Sequence, residues 1–516
     1  MRELFDADPG RFRQFSLEAG KLFLDFSKNR ITTETLELLL GLADERDLSN
    51  AISRLLRGDT VNFTEDRPAL HTALRARGQK TLDVDGHNVL PDVQKSLMQM
   101  AILVDEISTG KRRGITGKRY TDAISIGVGG SNMGPALATS ALIRQRPRLL
   151  DMHFVSNLDP HALLQLFDKL DPETTMVLVA SKSFTTVETV TNAHAVRNWF
   201  KAAGIADASA HFFAITANPK AAIDSGIMAE NTFEFWNWVG GRFSLWSAIG
   251  LPVALALGMD IFDELLDGAQ SMDEIFRTAP LAENPSVILA LLSIWYGNFF
   301  GCQTHAVVAY DERLQLLPSY LQQLEMESNG KSVASDGKAV SGTTAPVIWG
   351  GIGTDSQHAF FQLLHHGTHL IPIDFLVPLK REHDIAGHHQ ALVANAFGQA
   401  RALMWGQSLE ELEDGGEANA FATHRVFAGN RPSNTIVYDE LNALTLGALV
   451  ALYEHKVFVQ GVLWNINPFD QWGVELGKDM ARTISGTLEK ADGEHTQDSS
   501  TTGLIARYAS RNPPRI

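Results

Sequence analysis

From Asp122 onward, short apolar runs alternate with stretches whose apolar residues recur every three or four positions. The runs at 123–128, 152–155, 176–180 and Phe212–Thr216 predict strands, and segments between them, such as 160–170 and 187–203, predict helices. The alternation resumes later, with strands expected at 306–310, 346–349, 370–375 and 435–438 and helices at 312–327, 356–365, 390–405 and 441–459. Such alternation builds parallel sheets covered on both faces. The expected fold class is therefore α/β, with one αβα sandwich near residues 111–275 and a second near 276–490. Residues 1–110 read as helical and charged, with periodic runs at 15–26, 33–43 and 93–107, packed on the sandwiches. Residues 491–516 read as a tail, polar and loop-like through Thr502, with one helical turn at 504–508.

One stretch, residues 284–310, contains no charged side chain. Its continuous apolar part, 287–300, is broken by Ser293, Gly297 and Asn298, which suits a buried helix better than a membrane span. The first ten residues carry Glu3, Asp6 and Asp8 and no apolar core, so no signal peptide is expected. With 516 residues, about three domain-sized units are the prior. A net charge of -16 argues against general binding to nucleic acid or to an anionic membrane, while leaving room for a local positive site. The single cysteine, Cys302, precludes an internal disulfide and suits the cytoplasm.

Candidate chemistry lies in five places. Gly127-Val128-Gly129-Gly130-Ser131-Asn132-Met133-Gly134 follows a strand, but Asn132 stands where a dinucleotide fingerprint needs its third glycine. A sugar or other small ligand fits this turn better than a nicotinamide. Ser181-Lys182-Ser183-Phe184-Thr185-Thr186 puts four hydroxyls and a lysine at a helix N-terminus, where capping alone needs one hydroxyl. A phosphate dianion is the favoured occupant. In Val239-Gly240-Gly241-Arg242-Phe243-Ser244, a guanidinium beside two glycines suits stabilisation of an oxyanion.

The fourth place is the helix before Asn329-Gly330. Leu316, Tyr320, Gln323 and Glu327 form one stripe, which begins apolar and ends in an amide and a carboxylate. Glu327, in the last turn, sits at the negative end of the helix dipole, where its anion is disfavoured. Glu325 projects elsewhere and reads as surface or structural. Asn329-Gly330-Lys331-Ser332 ends like a Walker motif, but Glu325 occupies the required glycine position. The fifth place is histidine-rich, with seven of the 17 histidines between His358 and His389. A metal site is the rival there, yet Gly367 and Pro372 end the helix between His365 and His369. His365 is left at a helix-to-strand junction. Finally, Phe469-Asp470-Gln471-Trp472-Gly473-Val474-Glu475-Leu476-Gly477-Lys478 is a polar junction leading into a helix.

Together these segments resemble the glucose-6-phosphate isomerase family, with 469–478 similar to one family signature and 239–244 lying in the other. Residues 127–135, 181–186, 326–331, 365–375 and Gly429-Asn430-Arg431-Pro432 resemble further family segments, in the family's order over roughly residues 120–485. The resemblance implies two sugar-isomerase-type αβα domains and interconversion of glucose 6-phosphate and fructose 6-phosphate, without metal or nucleotide cofactor. It implies that Glu327 is the base moving a proton between C1 and C2 through a cis-enediol(ate). His365 and Lys478 match the residues associated with ring opening, and Arg242 the one that stabilises the enediolate. Ser181, Ser183 and Thr186, with Lys182 beside them, match the phosphate cradle. Gly130, Ser131, Gln323 and Gln471 match further substrate contacts. The resemblance also implies a homodimer in which the active-site histidine reaches the pocket from the partner. His366 stands where the family commonly has Gln, and Ser183 where Thr is more usual. A non-catalytic sugar-phosphate sensor on this fold, or an isomerase also accepting mannose 6-phosphate, are the alternatives.

Overall fold

Strands buried on both faces need continuous apolar runs, and the best examples lie in the first half of the chain. A computed structural model describes residues 1–145, 148–415, 420–489 and 497–512. Two compact units are present, Met1–Pro468 and Phe469–Ile516.

In the larger unit, β1 (Ser16–Ala19) and β2 (Leu22–Asp25) form an antiparallel hairpin. A helix was expected across 15–26, and the structure corrects this. Phe15, Ala19, Leu22, Leu24 and Phe26 are buried with strand alternation, and Gly20 takes φ +65° in the two-residue loop between the strands. A small hairpin of β3 (Asp83–Val84) and β4 (His87–Asn88) precedes the helix Leu90–Thr109.

The first large sheet comprises β5 (Asp122–Ile126), β6 (Asp151–Val155), β7 (Thr175–Ala180), β8 (Phe212–Thr216) and β9 (Thr232–Glu234), in the order β6-β5-β7-β8-β9. All its pairings are parallel. Every residue of β7 and β8 is buried, as a parallel sheet covered by helices requires. Val177 and Val179 of β7 share a core with Val196 and Phe200 of the helix Val187–Ala202.

The second large sheet contains β10 (Thr304–Ala309), β11 (Val347–Ile352), β12 (Ile373–Pro378) and β13 (Ser433–Tyr438) in parallel. The N-terminal hairpin completes it: β2 pairs antiparallel with β13, placing Leu24 opposite Ile436, in the order β1-β2-β13-β12-β10-β11. The two halves are thus the expected α/β architecture, with an antiparallel edge drawn from the N-terminus.

The charge-free stretch forms the buried helix Pro285–Ile294 and a π-helical turn, Trp295–Phe299. Helix Ala443–Trp464 is long and apolar enough to cross a membrane, but all of it except Leu444 and Val462 is buried in the protein core. Its Gly447 meets the backbone of Leu265, and Gly268 meets that of Leu444, so this helix and Met259–Thr278 touch main chain to main chain.

Two expected helices are interrupted. The segment 312–327 divides into a 3₁₀ turn Glu312–Leu314, the helix Leu317–Leu321 with Pro318 in its first turn, and the π-helical turn Gln322–Glu327. The segment 356–365 divides into Gly353–Gln357 and Phe361–His366. In the smaller unit, Glu475–Glu489 and Ser499–Arg511 are helical. The tail was expected to be loop through Thr502. Residues 491–496 lie outside the described residues, and Asp498 instead starts a helix by accepting from the amides of Ser500 and Thr501.

Candidate active site

The sheets set the site through their loops, because the carboxyl ends of parallel strands are where an α/β fold leaves a crevice. The turn after β5 carries the first glycine cluster into the helix Gly130–Leu142. Gly129 has φ +55°, and a Cβ there would lie 2.7 Å from Gln323 Nε2. A Cβ on Gly130 would overlap the carbonyl oxygen of Gly241. Only glycine lets this turn touch both other segments. Ser131 follows in the first turn of the helix, its amide donating to Val128 O at 3.2 Å.

Arg242 lies in the short 3₁₀ turn Gly241–Phe243 and is buried. Its fork points three ways: Nε donates to Ser328 Oγ at 2.6 Å, Nη2 donates to Pro468 O at 2.7 Å, and Nη1 faces Glu327 Oε2 at 3.5 Å. Tyr320 Oη donates to the Arg242 carbonyl at 3.4 Å. Gln323 Nε2 donates to the same Glu327 oxygen at 3.0 Å. The expected stripe therefore holds, although it runs through a π-helical turn, a form that recurs at functional sites. The unfavourable end of the helix dipole is offset twice: by Arg242, and by Lys331, whose Nζ donates to the carbonyls of Glu327, Ser328 and Asn467 at 3.2, 2.7 and 3.1 Å.

The hydroxyl loop leaves the end of β7. Thr186 stands at the N-cap of Val187–Ala202 but makes no side-chain cap bond. Its Oγ1 pairs instead with Ser181 Oγ at 3.0 Å, and Ser183 Oγ pairs with Thr185 Oγ1 at 2.7 Å. Phe184, at φ +60°, donates its amide to Ser181 Oγ at 3.1 Å, which folds the loop tightly over the helix start. Lys182 Nζ donates to Asn237 O and Val239 O, both at 2.9 Å, tying this loop to the segment that presents Arg242. Burial, with the Arg67 guanidinium adding to it, pulls Lys182 down to about 8.

His365 is half-buried at the end of Phe361–His366, its Nε2 2.9 Å from Gln399 Oε1. Burial lowers its imidazole from the ordinary histidine value, against the hydrogen bond to Gln399. Its ring neighbours are Phe361 and Phe427. Of these partners, Phe361 belongs to the core of the second sheet, beside Phe375 of β12. Gln471 and Lys478 lie in the smaller unit, where Lys478 pairs with Glu475 at 2.9 Å on an exposed helix face. Among the described residues, no three metal-ligating side chains gather, the histidine-rich segment included.

The structure thus brings together Gly130, Arg242, Gln323 and Glu327, with the hydroxyl loop tied in through Lys182. Sequence reasoning missed Ser328, which orients Arg242, and left Glu325 between surface and structural roles. Glu325 is structural, fully buried and paired with Lys456 at 2.9 Å. The available signal was Lys456 itself, since a lysine in so apolar a helix requires a buried counter-charge.

A family model described as phosphoglucose isomerase matches residues 25–505. A glucose-6-phosphate isomerase of Pseudomonas fluorescens is 51% identical over 522 aligned residues, covering 99% of this chain and 94% of the relative. One from Chlorobium luteolum is 50% identical, with 99% and 94% covered. Among solved structures, a glucose-6-phosphate isomerase from Chlamydia trachomatis superposes with a TM-score of 0.86 at 31% identity, covering 98% of this chain and 94% of that one.

Proposed function

The chain belongs to the phosphoglucose isomerase family, and from that premise we propose how its own residues carry out the reaction. It is an aldose–ketose isomerase that interconverts glucose 6-phosphate and fructose 6-phosphate, a step of glycolysis and gluconeogenesis. In our reading, Glu327 takes the proton from C2 of the opened aldose and returns it to C1. The proton moves within one substrate molecule, so no redox cofactor is consumed, and we assign no metal to the site.

The observation that carries this reading is the shared contact of Arg242 and Gln323 with one oxygen of Glu327. In the resting site the guanidinium faces the carboxylate. When Glu327 accepts the C2 proton, its charge is neutralised and the substrate becomes the enediolate. Arg242 then faces an anion in either state, and a cation already fixed by Ser328 and Pro468 need not reorganise. Gln323, Gly130, Ser131 and Gln471 contact the sugar. Ser181, Ser183 and Thr186 hold the phosphate, and its binding orients the distant carbons. Lys182, committed to two carbonyls, supports that loop and adds its charge from beneath it.

His365 and Lys478 transfer protons at the ring and C1 oxygens. The surroundings of His365, remote in kind from those of Glu327, favour a homodimer in which each subunit lends this histidine to its partner's site. We assign the sandwiches to 111–275 and 276–490, and the enzyme to the cytoplasm, where Cys302, buried and pushed up to about 11, stays a thiol. The test is exchange of the C2 proton in deuterated water. Glu327→Gln is expected to abolish exchange and lower turnover by about a thousandfold, while phosphosugar binding persists. Normal exchange would remove Glu327 from the base role.

A further inference from the structure

Helix Ala443–Trp464 carries Glu454, His455 and Lys456 in succession, all fully buried in an otherwise apolar segment. Each charge must be met. Glu454 accepts from Arg75 and from the Trp246 indole, at 2.6 and 2.8 Å, and His455 lies 2.7 Å from Asp273. Lys456 differs, because its partner lies on the π-helical turn that carries Glu327. Its Nζ donates to Glu325 Oε2 at 2.9 Å, with the two side chains only 1% and 2% exposed.

Gln460, one turn along the same helix, donates from Nε2 to the other carboxylate oxygen of Glu325 at 2.8 Å and to Ser293 Oγ at 2.9 Å. Its Oε1 accepts from Asn329 Nδ2 at 3.0 Å, and that amide also donates to Val457 O at 2.9 Å. Residues 325 and 329 are therefore both held by one turn of the core helix. They lie two positions before and two positions after Glu327. From the same π-helical turn Glu325 faces the core helix, while Glu327 faces Arg242 and Gln323 reaches Glu327.

We propose that Lys456 and Gln460 are positioning residues for the catalytic base: by fixing Glu325 and Asn329, they hold the Glu327 carboxylate at its working distance from Arg242. This rests on the reading of Glu327 as the base. Stability alone does not account for the arrangement, because well-packed apolar side chains generally replace a buried ion pair without loss. What they do not replace is the fixed direction of four hydrogen bonds joining 325 and 329 to one turn. A catalytic group displaced by about 1 Å can cost roughly a hundredfold in rate.

The experiment compares Glu325→Met with Lys456→Met combined in one protein, Gln460→Met alone, and Glu327→Gln. The double variant is expected to melt at or above the wild-type temperature. Its kcat should fall about ten- to a hundredfold, KM should change less than about threefold, and the acid limb of the kcat–pH profile should move. Gln460→Met keeps the ion pair and severs the tie to Asn329, so it should show the same split less strongly, and it decides the matter should the double variant not fold. Wild-type kcat and an unmoved acid limb in a folded variant would overturn the proposal. If Glu327→Gln is inactive at the same time, the positioning role alone falls; if Glu327→Gln turns over normally, the base assignment falls instead.

Discussion

The Arg242 guanidinium and the Glu327 carboxylate lie 3.5 Å apart, yet the arginine side chain is 2% exposed and the glutamate 24%. The cation is locked in protein and the anion opens toward solvent. This asymmetry suits a base that must meet a substrate while its counter-charge stays still.

Arg242→Lys should therefore be far from conservative. A lysine offers one point charge where the fork now serves Ser328 Oγ, Pro468 O and Glu327 together. We expect kcat to fall about a hundredfold or more. Leaving buried acceptors unpaired should also cost about 1–3 kcal/mol of stability, read by urea unfolding.

Two neighbouring glycines should respond in opposite ways. Alanine at Gly130 would drive its Cβ into the Gly241 carbonyl, whereas a Cβ at Gly241 meets nothing within 4 Å. Gly130→Ala should destabilise by about 3 kcal/mol and push Arg242 out of register, with kcat falling in parallel. Gly241→Ala should stay within about 0.5 kcal/mol of wild type in the same unfolding experiment.

The contrast between these glycines shows where the amino-acid pattern is legible. Strand β8 was expected with its observed bounds, because burial on both faces leaves an unbroken apolar run, Phe212–Thr216. The N-terminal hairpin was misread because Phe15, Leu22 and Phe26 also fall at helical spacing, and only the positive φ of Gly20 separates the two readings. In the site, Arg242 and Glu327 were legible because each lies in a distinctive local segment. Contacts joining distant parts of the chain were not. Lys182 reaches carbonyls 55 and 57 positions away, and Lys456 reaches Glu325 across 131. No local periodicity encodes such pairs; a buried charge signals only that some partner exists.

Lys182 gives a pH prediction. Burial pulls its folded-state value from the ordinary 10.5 to about 8. Between these values the unfolded chain holds a proton that the folded chain has released, so the contribution of this group to stability rises as pH increases across that window. Lys182→Met removes the rise. The wild-type minus variant difference in unfolding free energy should therefore increase between pH 8 and 10.5 and level off on either side. In the active enzyme, the wild-type KM for the phosphosugar should climb above pH 8 as the ammonium is lost, a trend that the variant should lack.

The proposal that subunits share a site can be tested by complementation. Glu327→Gln and His365→Asn should each be nearly inactive as homodimers. If His365 serves the partner's site, a mixed dimer contains one site with both residues intact and one with both replaced. Refolding equal amounts together gives about half mixed dimers, so activity should recover to about a quarter of wild type. If His365 serves its own subunit, every site in the mixed dimer lacks one residue and nothing is regained. Separately refolded controls, combined only at assay, distinguish subunit exchange from residual activity. Activity that returns with mixing time at a rate set by dimer dissociation would identify the exchanged subunits as its source.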